Sequence, residues 1–175
     1  MHVLQWIAVQ AENEDEAFRT VKDTLESELG NNEYSSAAWF DWFVTGGGRW
    51  NPNPDSQYND NDQSMVISYA KDKDTYLARV QESIQSRMDE FNAYRKQYDE
   101  KGIDINAKLD NYAGLMNYDF ELYPLKKMID MIQGEWDFNS YFYDMHHAST
   151  NTVHMDKALD LAPDMWYLVP VDFHF

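Results

Sequence analysis

Apolar residues follow strand patterns at both ends of the chain. Residues Val3 to Val9 are apolar at every position except Gln5, which is typical of a strand buried in the middle of a sheet. Between Met165 and Phe175 the odd positions are apolar, a period-two alternation that predicts another strand. Pro170 interrupts that run, so we expect this strand at a sheet edge or with a bulge.

The pattern after the first strand predicts a helix, a strand and a loop. Asn13 is a helix N-cap residue with Glu16 three positions later, and the helical spacing that follows ends at Gly30. The short aromatic segment Ala37 to Val44 predicts a second strand. The Pro, Asn and Asp residues of Asn51 to Ser64 predict an exposed loop.

Helical spacing dominates the middle of the chain. A long helix is predicted over residues 74 to 100, a shorter one from Ile105 to Leu115, and a third that begins at Pro124 and stops at Gly134. We therefore expect residues 74–134 to be a helical insertion. The apolar stripe of the long helix repeats every seven residues, at Leu77, Ile84, Phe91 and Tyr98.

The order of these elements predicts an α+β fold. A further aromatic strand is expected at Phe138 to Met145, which gives the order β-α-β, helices, β-β. That order is compatible with a ferredoxin-like antiparallel sheet with helices on one face. A length of 175 residues fits a single domain over residues 1–175.

Composition indicates a folded protein outside the membrane. Hydrophobic residues make up 43% of the chain and aromatic residues 15%, enough for a sizeable core despite a mean hydropathy of −0.70. No stretch has the length of a membrane helix, and the first residues do not resemble a signal peptide. The absence of cysteine fits a reducing compartment, so we expect a cytoplasmic protein.

The net charge of −17 bears on the choice of partner. It disfavours direct binding to nucleic acid or to an anionic membrane and favours a basic partner protein. Much of the charge lies in the first helix and the C-terminal region. The residues predicted to form an acidic partner-binding face are Glu12, Glu14, Asp15, Asp137, Asp144, Asp156, Asp160 and Asp164.

A glycine-rich turn is the first candidate for ligand binding. Gly46, Gly47 and Gly48 follow the aromatic strand directly, and Arg49 and Trp50 come next. Consecutive glycines let backbone N–H groups converge on an anion, and an arginine adds a fork for phosphate or carboxylate. A plain structural turn is the alternative, because the spacing is neither that of a Walker loop nor that of a Rossmann loop.

The C-terminal strand carries the second candidate. Period-two spacing places Asp172 and His174 on one face, where they could form an acid/base pair or complete a cluster with Asp144 and the histidines His146, His147 and His154. No compact metal-binding or nucleophile motif is present, so neither a catalytic residue nor a metal or other cofactor is assigned.

Two of these segments are similar to a family of small phage-encoded proteins. Those proteins often read D-W-[FY]-x-x-G-G-R-W near the second strand and end with V-D-x-H. Here the matching segments are Asp41 to Trp50 and Val171 to His174, with one extra glycine before Arg49 and with Pro170 in the last strand. The resemblance implies a phage origin, and by analogy a protein that binds and disables a host factor.

Three functional hypotheses follow. The first is a non-catalytic acidic protein that inhibits a basic, nucleic-acid-binding host or defence protein in the host cytoplasm by charge mimicry. The second is a protein that binds or hydrolyses a nucleotide or another phosphorylated metabolite at Gly46 to Trp50 with Asp172 and His174. The third is a virion or assembly component that forms homo-oligomers through the apolar stripe of the long helix.

Overall fold

The chain folds into a mixed β-sheet and α-helices, which confirms the predicted α+β class. The computed structural model describes residues 1–29, 39–104, 122–150 and 155–175. The predicted helix from Ile105 to Leu115 and the first residues of the predicted strand at Ala37 lie outside these ranges. The elements of the described residues are β1 (His2–Gln10), α1 (Glu14–Leu29), β2 (Trp42–Thr45), β3 (Ile67–Ser68), α2 (Lys73–Lys101), α3 (Tyr123–Gln133), β4 (Phe142–Asp144), α4 (Met155–Leu161) and β5 (Trp166–His174).

The sheet is mixed, so the expectation of a purely antiparallel sheet is wrong. Its strand order is β2-β5-β1-β4, and β3 also pairs with β5. β5 is antiparallel to β1, β2 and β3, whereas β4 runs parallel to β1. β4 pairs with the edge of β1 that does not pair with β5. Trp6 N donates to Tyr141 O at 3.0 Å, and Met145 N donates to Ala8 O at 2.9 Å.

β5 is a central strand, although Pro170 predicted an edge strand or a bulge. One side of β5 pairs with β1 over its whole length, and the other side pairs with β3 at residues 167–168 and with β2 at residues 171–174. The N–H and C=O of one strand residue point to the same neighbour, and Pro170 O accepts from Gly46 N at 2.8 Å. Pro170 has no N–H, and the position that an N–H would occupy faces the gap between β2 and β3. No hydrogen bond between strands is lost there.

Helices cover both faces of the sheet, not one. α1 packs on the face that carries Ile7, Val169 and Val171, and α2 and α4 pack on the opposite face around Trp6 and Leu168. The reason lies in β1 and β5, which are apolar at successive positions and therefore need cover on both sides.

The first helix begins as predicted. The side-chain Oδ1 of Asn13 accepts a hydrogen bond from the backbone N–H of Glu16 at 2.9 Å. The carboxylate of Glu16 in turn accepts one from the backbone N–H of Glu12 at 2.6 Å. Three acidic residues occupy the first turn, where the helix dipole favours negative charge. Ala17, Phe18, Val21 and Leu25 then face the sheet and are almost fully buried.

The long predicted helix is present as α2, but its apolar stripe has partners within the chain. Tyr76 and Val80 are buried, and Leu77 and Ile84 pack against the same cluster as Trp6. The first half of the predicted oligomer seam is thus occupied by the protein's own sheet. α3 begins with Pro124 in its first turn and ends at Gly134 in the left-handed conformation, as predicted.

The chain divides into two compact units. One comprises Met1–Ile84 with Trp136–Phe175 and holds the whole sheet, and the other comprises Gln85–Glu135. In the second unit, Tyr94 and Tyr123 join α2 to α3 with ring centroids 5.9 Å apart. The boundary at Ile84 differs from the predicted insertion over 74–134, because residues 74–84 pack with the sheet.

Three smaller differences concern loops and short elements. The residues from Asn51 to Ser64 form a loop, as expected, but they include a short 3-10 turn at Pro54–Ser56 and the buried residues Asn51 and Ser56. The strand predicted at Phe138 to Met145 is limited to the three residues of β4. β3 and α4 have no counterpart in the predicted elements.

Candidate functional site

Three strands end together at one end of the sheet and bring the candidate residues onto one face. His174 of β5 lies directly opposite His2 of β1 on one side and opposite Trp42 of β2 on the other. Two residues earlier in β5, Asp172 lies between Leu4 and Val44. Because paired and alternate residues share a face, His2, Trp42, Asp172 and His174 lie on the same side of the sheet.

Asp172 is the buried centre of this group. It is 1% exposed, and its carboxylate accepts a hydrogen bond from the imidazole Nδ1 of His2 at 2.8 Å. The same carboxylate accepts from the backbone N–H of Arg49 at 3.2 Å. The Arg49 Nε lies 3.9 Å from it, at the limit of an ion pair. A buried charge needs such partners, since burial of an unpaired carboxylate is costly.

The glycine turn allows this approach of the backbone to Asp172. Gly46, Gly47 and Gly48 all have positive φ angles, of 92°, 91° and 49°. A Cβ atom on Gly48 would lie 2.6 Å from both Cβ and Oδ2 of Asp172, closer than atoms can pack. The sequence left two interpretations of this turn open, an anion-binding loop and a plain structural turn. In the structure the N–H of Arg49 donates to the side chain of Asp172.

His2 links the buried carboxylate to the guanidinium of Arg49. The Nη2 of Arg49 lies 2.8 Å from Nε2 of His2. A guanidinium has no acceptor, so Nε2 accepts this hydrogen bond, and Nδ1 carries the proton that His2 donates to Asp172. The contacts therefore require a neutral His2 in a single tautomer.

His174 has a separate carboxylate partner. Its Nδ1 lies 2.6 Å from Oδ1 of Asp41, and its ring stacks on Trp42 with centroids 4.9 Å apart and an angle of 14°. The rings of His2 and His174 are edge to face, with centroids 4.8 Å apart. The predicted pair of Asp172 and His174 does share a face, but each residue is hydrogen-bonded to a different partner.

The outer surface of the site carries a guanidinium and several aromatic rings, with the exposed carboxylate of Asp41 beside His174. The side chain of Arg49 is 44% exposed, and its Cζ atom lies 5.9 Å from the ring centroid of Trp50, a residue that is 39% exposed. His2 and His174 expose 15% and 30% of their side chains. A ligand from solvent can thus contact a guanidinium, two imidazoles and an indole without entering the core.

Sequence reasoning found part of this group and missed the rest. Arg49, Trp50, Asp172 and His174 were predicted and lie together. His2, Asp41 and Trp42 were not assigned a role. The sequence did contain a signal for His2. It stands at the start of one long apolar strand and His174 stands at the end of another, so the two residues lie opposite each other if the strands pair antiparallel without offset.

A second carboxylate and histidine pair lies elsewhere in the sheet. Asp144 is 1% exposed and accepts from Nδ1 of His147 at 2.6 Å and from the backbone of His146 at 2.9 Å. It forms no cluster with Asp172 or His174, and His154 lies outside the described residues. Within the described ranges, no group of three acidic or histidine side chains could hold a metal ion.

The predicted acidic face is divided by the fold. Glu12 and Asp164 lie at the end of the sheet opposite to the His2 site, because Ala11 N donates to Met165 O at 2.9 Å. Asp137 lies nearer the other end, where its carbonyl accepts from the side chain of Gln5. Asp144 is buried and does not belong to any exposed face, which corrects that assignment.

The remaining acids lie close to the Glu12 end of the sheet. Glu14 pairs with Lys71 at 2.6 Å, and Asp15 pairs with Arg19 at 2.5 Å. Asp160 is exposed. The hydrogen bond that Lys73 donates to Tyr69 is the main cause that raises the pKa of Lys73, and the charge of Asp160 adds to it. Asp156 belongs to α4, and its side chain is outside the described structure.

Comparisons with known proteins do not extend this picture. The chain matches no protein-family model, no curated protein and no solved structure. Across the described residues, no helix combines the length and the apolar character that a membrane crossing requires.

Proposed function

We propose that the protein binds a small phosphorylated ligand of the nucleotide class at the surface formed by His2, Trp42, Arg49, Trp50 and His174, here called the His2–Arg49 surface. The observation that carries the proposal is the half-exposed guanidinium of Arg49, held beside an exposed indole by contacts to a neutral imidazole and to a carboxylate.

The contacts of Arg49 favour an incoming anion. Its Nη2 donates to an uncharged nitrogen of His2, and its Nε lies 3.9 Å from Asp172, so among the described residues no carboxylate forms a bidentate pair with the guanidinium. A phosphate offers the planar fork of arginine two charged acceptors at once, which form stronger hydrogen bonds than a neutral imidazole does.

The neighbouring aromatic side chains favour a ligand with a flat ring. Trp50 follows Arg49 directly and exposes 39% of its surface, an unusual exposure for a large aromatic residue. Stacking on an exposed indole contributes about 1–3 kcal/mol for a base. A phosphate joined to a planar base satisfies both the guanidinium and the indole.

Removal of the Arg49 side chain tests the proposal. We expect Arg49→Ala to weaken AMP binding at least tenfold in isothermal titration calorimetry, because a charge-assisted pair of hydrogen bonds is worth about 1.5–3 kcal/mol. The melting temperature should change little, since the side chain is half-exposed. Adenosine and inorganic phosphate, tested separately, should each bind more weakly than AMP.

Arg79→Ala is the matched control. Arg79 is 42% exposed, pairs with Glu82, and lies with its Cζ atom 5.7 Å from the ring centroid of Trp6, much as Arg49 lies near Trp50. AMP affinity should be unchanged in this variant. An unaltered affinity in Arg49→Ala, or an equal loss in both variants, would refute the proposed site.

The acidic inhibitor is the second candidate function. Its support is the exposed acidic end of the sheet, defined here by Glu12, Glu14, Asp15, Asp160 and Asp164, where α1 begins and β5 starts. A basic, nucleic-acid-binding host protein is the partner that such a surface suits.

The ferredoxin-like arrangement also stays a proposal. The feature that supports it is the split unit β1-α1-β2, in which β5 lies between β1 and β2 and is antiparallel to both. The parallel strand β4 is an addition to that arrangement.

A further inference from the structure

Two adjacent imidazoles at the His2–Arg49 surface are each held by a carboxylate at Nδ1. Asp172 holds His2 at 2.8 Å, Asp41 holds His174 at 2.6 Å, and the two rings lie 4.8 Å apart. A carboxylate at Nδ1 fixes the tautomer and leaves Nε2 to exchange a proton with a bound molecule. Binding alone does not require two imidazoles in this state.

The surroundings of the two rings suit opposite roles. His2 is neutral, since its Nε2 accepts from Arg49, so it can take up a proton. His174 stacks on the face of Trp42 and is held at Nδ1 by Asp41, and 30% of its side chain is exposed, so a proton on its ring can pass to a bound molecule. The pair therefore offers one proton acceptor and one proton donor.

We infer that this surface hydrolyses a cyclic phosphodiester of a nucleotide, with His2 as general base and His174 as general acid. The inference rests on the proposed function. The oxygen of a water molecule attacks phosphorus while Nε2 of His2 takes a proton from that water. The bond between phosphorus and one ring oxygen breaks, and His174 gives its proton to the leaving ribose oxygen, which yields a phosphomonoester.

The charge of the site favours a diester over a monoester. A phosphodiester carries one negative charge, which the guanidinium of Arg49 balances, whereas a monoester carries nearly two at neutral pH. On a chain with a net charge of −17, the second charge makes a monoester such as AMP a weaker ligand than the diester. A five-membered cyclic phosphate is also strained, so its ring opening needs less assistance than cleavage of a linear diester.

Substrate binding would also prepare the base. In the free protein, Arg49 occupies Nε2 of His2 at 2.8 Å. A phosphate that takes over the guanidinium leaves this nitrogen available for the attacking water. Asp172 keeps its hydrogen bond to Nδ1 and acts as a positioning residue, because it is buried and does not reach the substrate.

The test is turnover of adenosine 2′,3′-cyclic phosphate followed by phosphorus NMR. We expect hydrolysis by the full chain, and a loss of about 100-fold or more in kcat for His2→Gln and for His174→Gln, the range typical of a general acid or base. The second variant changes a more exposed side chain, so it keeps the test valid if the first fails to fold. The melting temperature of each variant reports on folding.

His147→Gln is the matched control, because His147 is also held by a buried aspartate through Nδ1 but lies outside the site. Its turnover should equal that of the unaltered chain. The dependence of kcat on pH should be bell-shaped, since one imidazole must be neutral and the other charged. Within the part of the chain that the structure describes, the charged and titratable groups in contact with the two rings are Asp172, Arg49 and Asp41, and each imidazole also faces the other.

The outcomes separate the inference from the proposed function. Binding of AMP without turnover of the cyclic phosphate overturns the inference and leaves the binding site intact. Absence of both overturns both. Turnover that persists in the two site variants, or that falls equally in His147→Gln, assigns the activity to other residues and also overturns the inference.

Discussion

At the scale of single residues, Gly48 determines whether Asp172 can be buried and still hydrogen-bonded. Its φ angle of +49° is in the left-handed region, and its Cα lies against the aspartate side chain. Any side chain at this position would push the carboxylate away from the N–H of Arg49 and from His2. The glycine is thus needed for packing as well as for backbone conformation.

A comparison of two glycines tests this point. Gly48→Ala adds a Cβ 2.6 Å from Asp172, whereas Gly102→Ala adds one with no atom within 4 Å at a similar φ of +59°. Both substitutions carry left-handed strain of about 1–2 kcal/mol. We expect Gly48→Ala to cost about 1–3 kcal/mol more in the free energy of unfolding, measured with urea, because it is also overpacked. Equal costs would show that Asp172 moves aside freely.

At the scale of elements, helix α2 contributes a buried phenol to the core. Tyr76 is 0% exposed, and its hydroxyl has no hydrogen-bond partner among the described protein groups. Burial raises the pKa of this phenol well above its ordinary value of 10.0, and the negative charge of Asp144 adds to the effect. The hydroxyl therefore opposes the packing of α2 on the sheet.

Tyr76→Phe should stabilise the protein. We expect the free energy of unfolding at pH 7 to rise by about 1 kcal/mol, since a buried hydroxyl without a partner costs about 1–3 kcal/mol. Below pH 10.0, the unfolded value, the phenol is neutral in both states, and as the pH rises above it the unfolded chain ionises first, so the free energy of unfolding falls. The variant should consequently lose less stability on alkaline titration. Tyr58→Phe, at a side chain 77% exposed, should change neither quantity.

The elements that could be predicted are those with a strong local signal. The cap at Asn13 and the stop at Gly134 depend on neighbouring residues, so the start of α1 and the end of α3 follow from the sequence, whereas the predicted stop of α1 at Gly30 lies outside the described residues. The position of β5 does not, because Pro170 is tolerated only through a gap between two other strands. That gap depends on how β2 and β3 pack beside β5, which neighbouring residues in the sequence do not indicate.

The same limit applies to the site. The glycine turn and the C-terminal Asp172 were both recognisable, but their contact depends on the register that places Val44 opposite Asp172. A shift of one residue would move Asp172 to the face covered by α1. His2 and Asp41 were missed because neither belongs to a motif, and their partners lie more than 130 residues away along the chain.

At the scale of the whole molecule, negative charge and ligand chemistry occupy opposite ends of the sheet. The His2–Arg49 surface lies where β1 begins, and the acidic end lies where β1 stops. The two candidate functions consequently use different surfaces. Variants that affect one should leave the other unchanged.

Charge neutralisation at the acidic end tests the second candidate. We expect Glu12→Gln, Glu14→Gln and Asp164→Asn together to weaken binding of a lysine-rich probe peptide more than Asp89→Asn, Asp99→Asn and Glu100→Gln together on α2. Each triple variant removes the same charge. Affinity, measured by fluorescence anisotropy, should also fall as salt shortens the screening length to about 8 Å. Equal weakening by both triples would indicate diffuse attraction without a defined surface.

The pairing of β1 with β5 also has a consequence for folding. These central strands join residues 2–10 to residues 166–174, so the core of the sheet forms only across nearly the full length of the chain. Such contacts of high sequence separation slow folding, because the entropy of closing a long loop is lost before the contacts form. During synthesis, the apolar strand β1 cannot pair with β5 until β5 has left the ribosome.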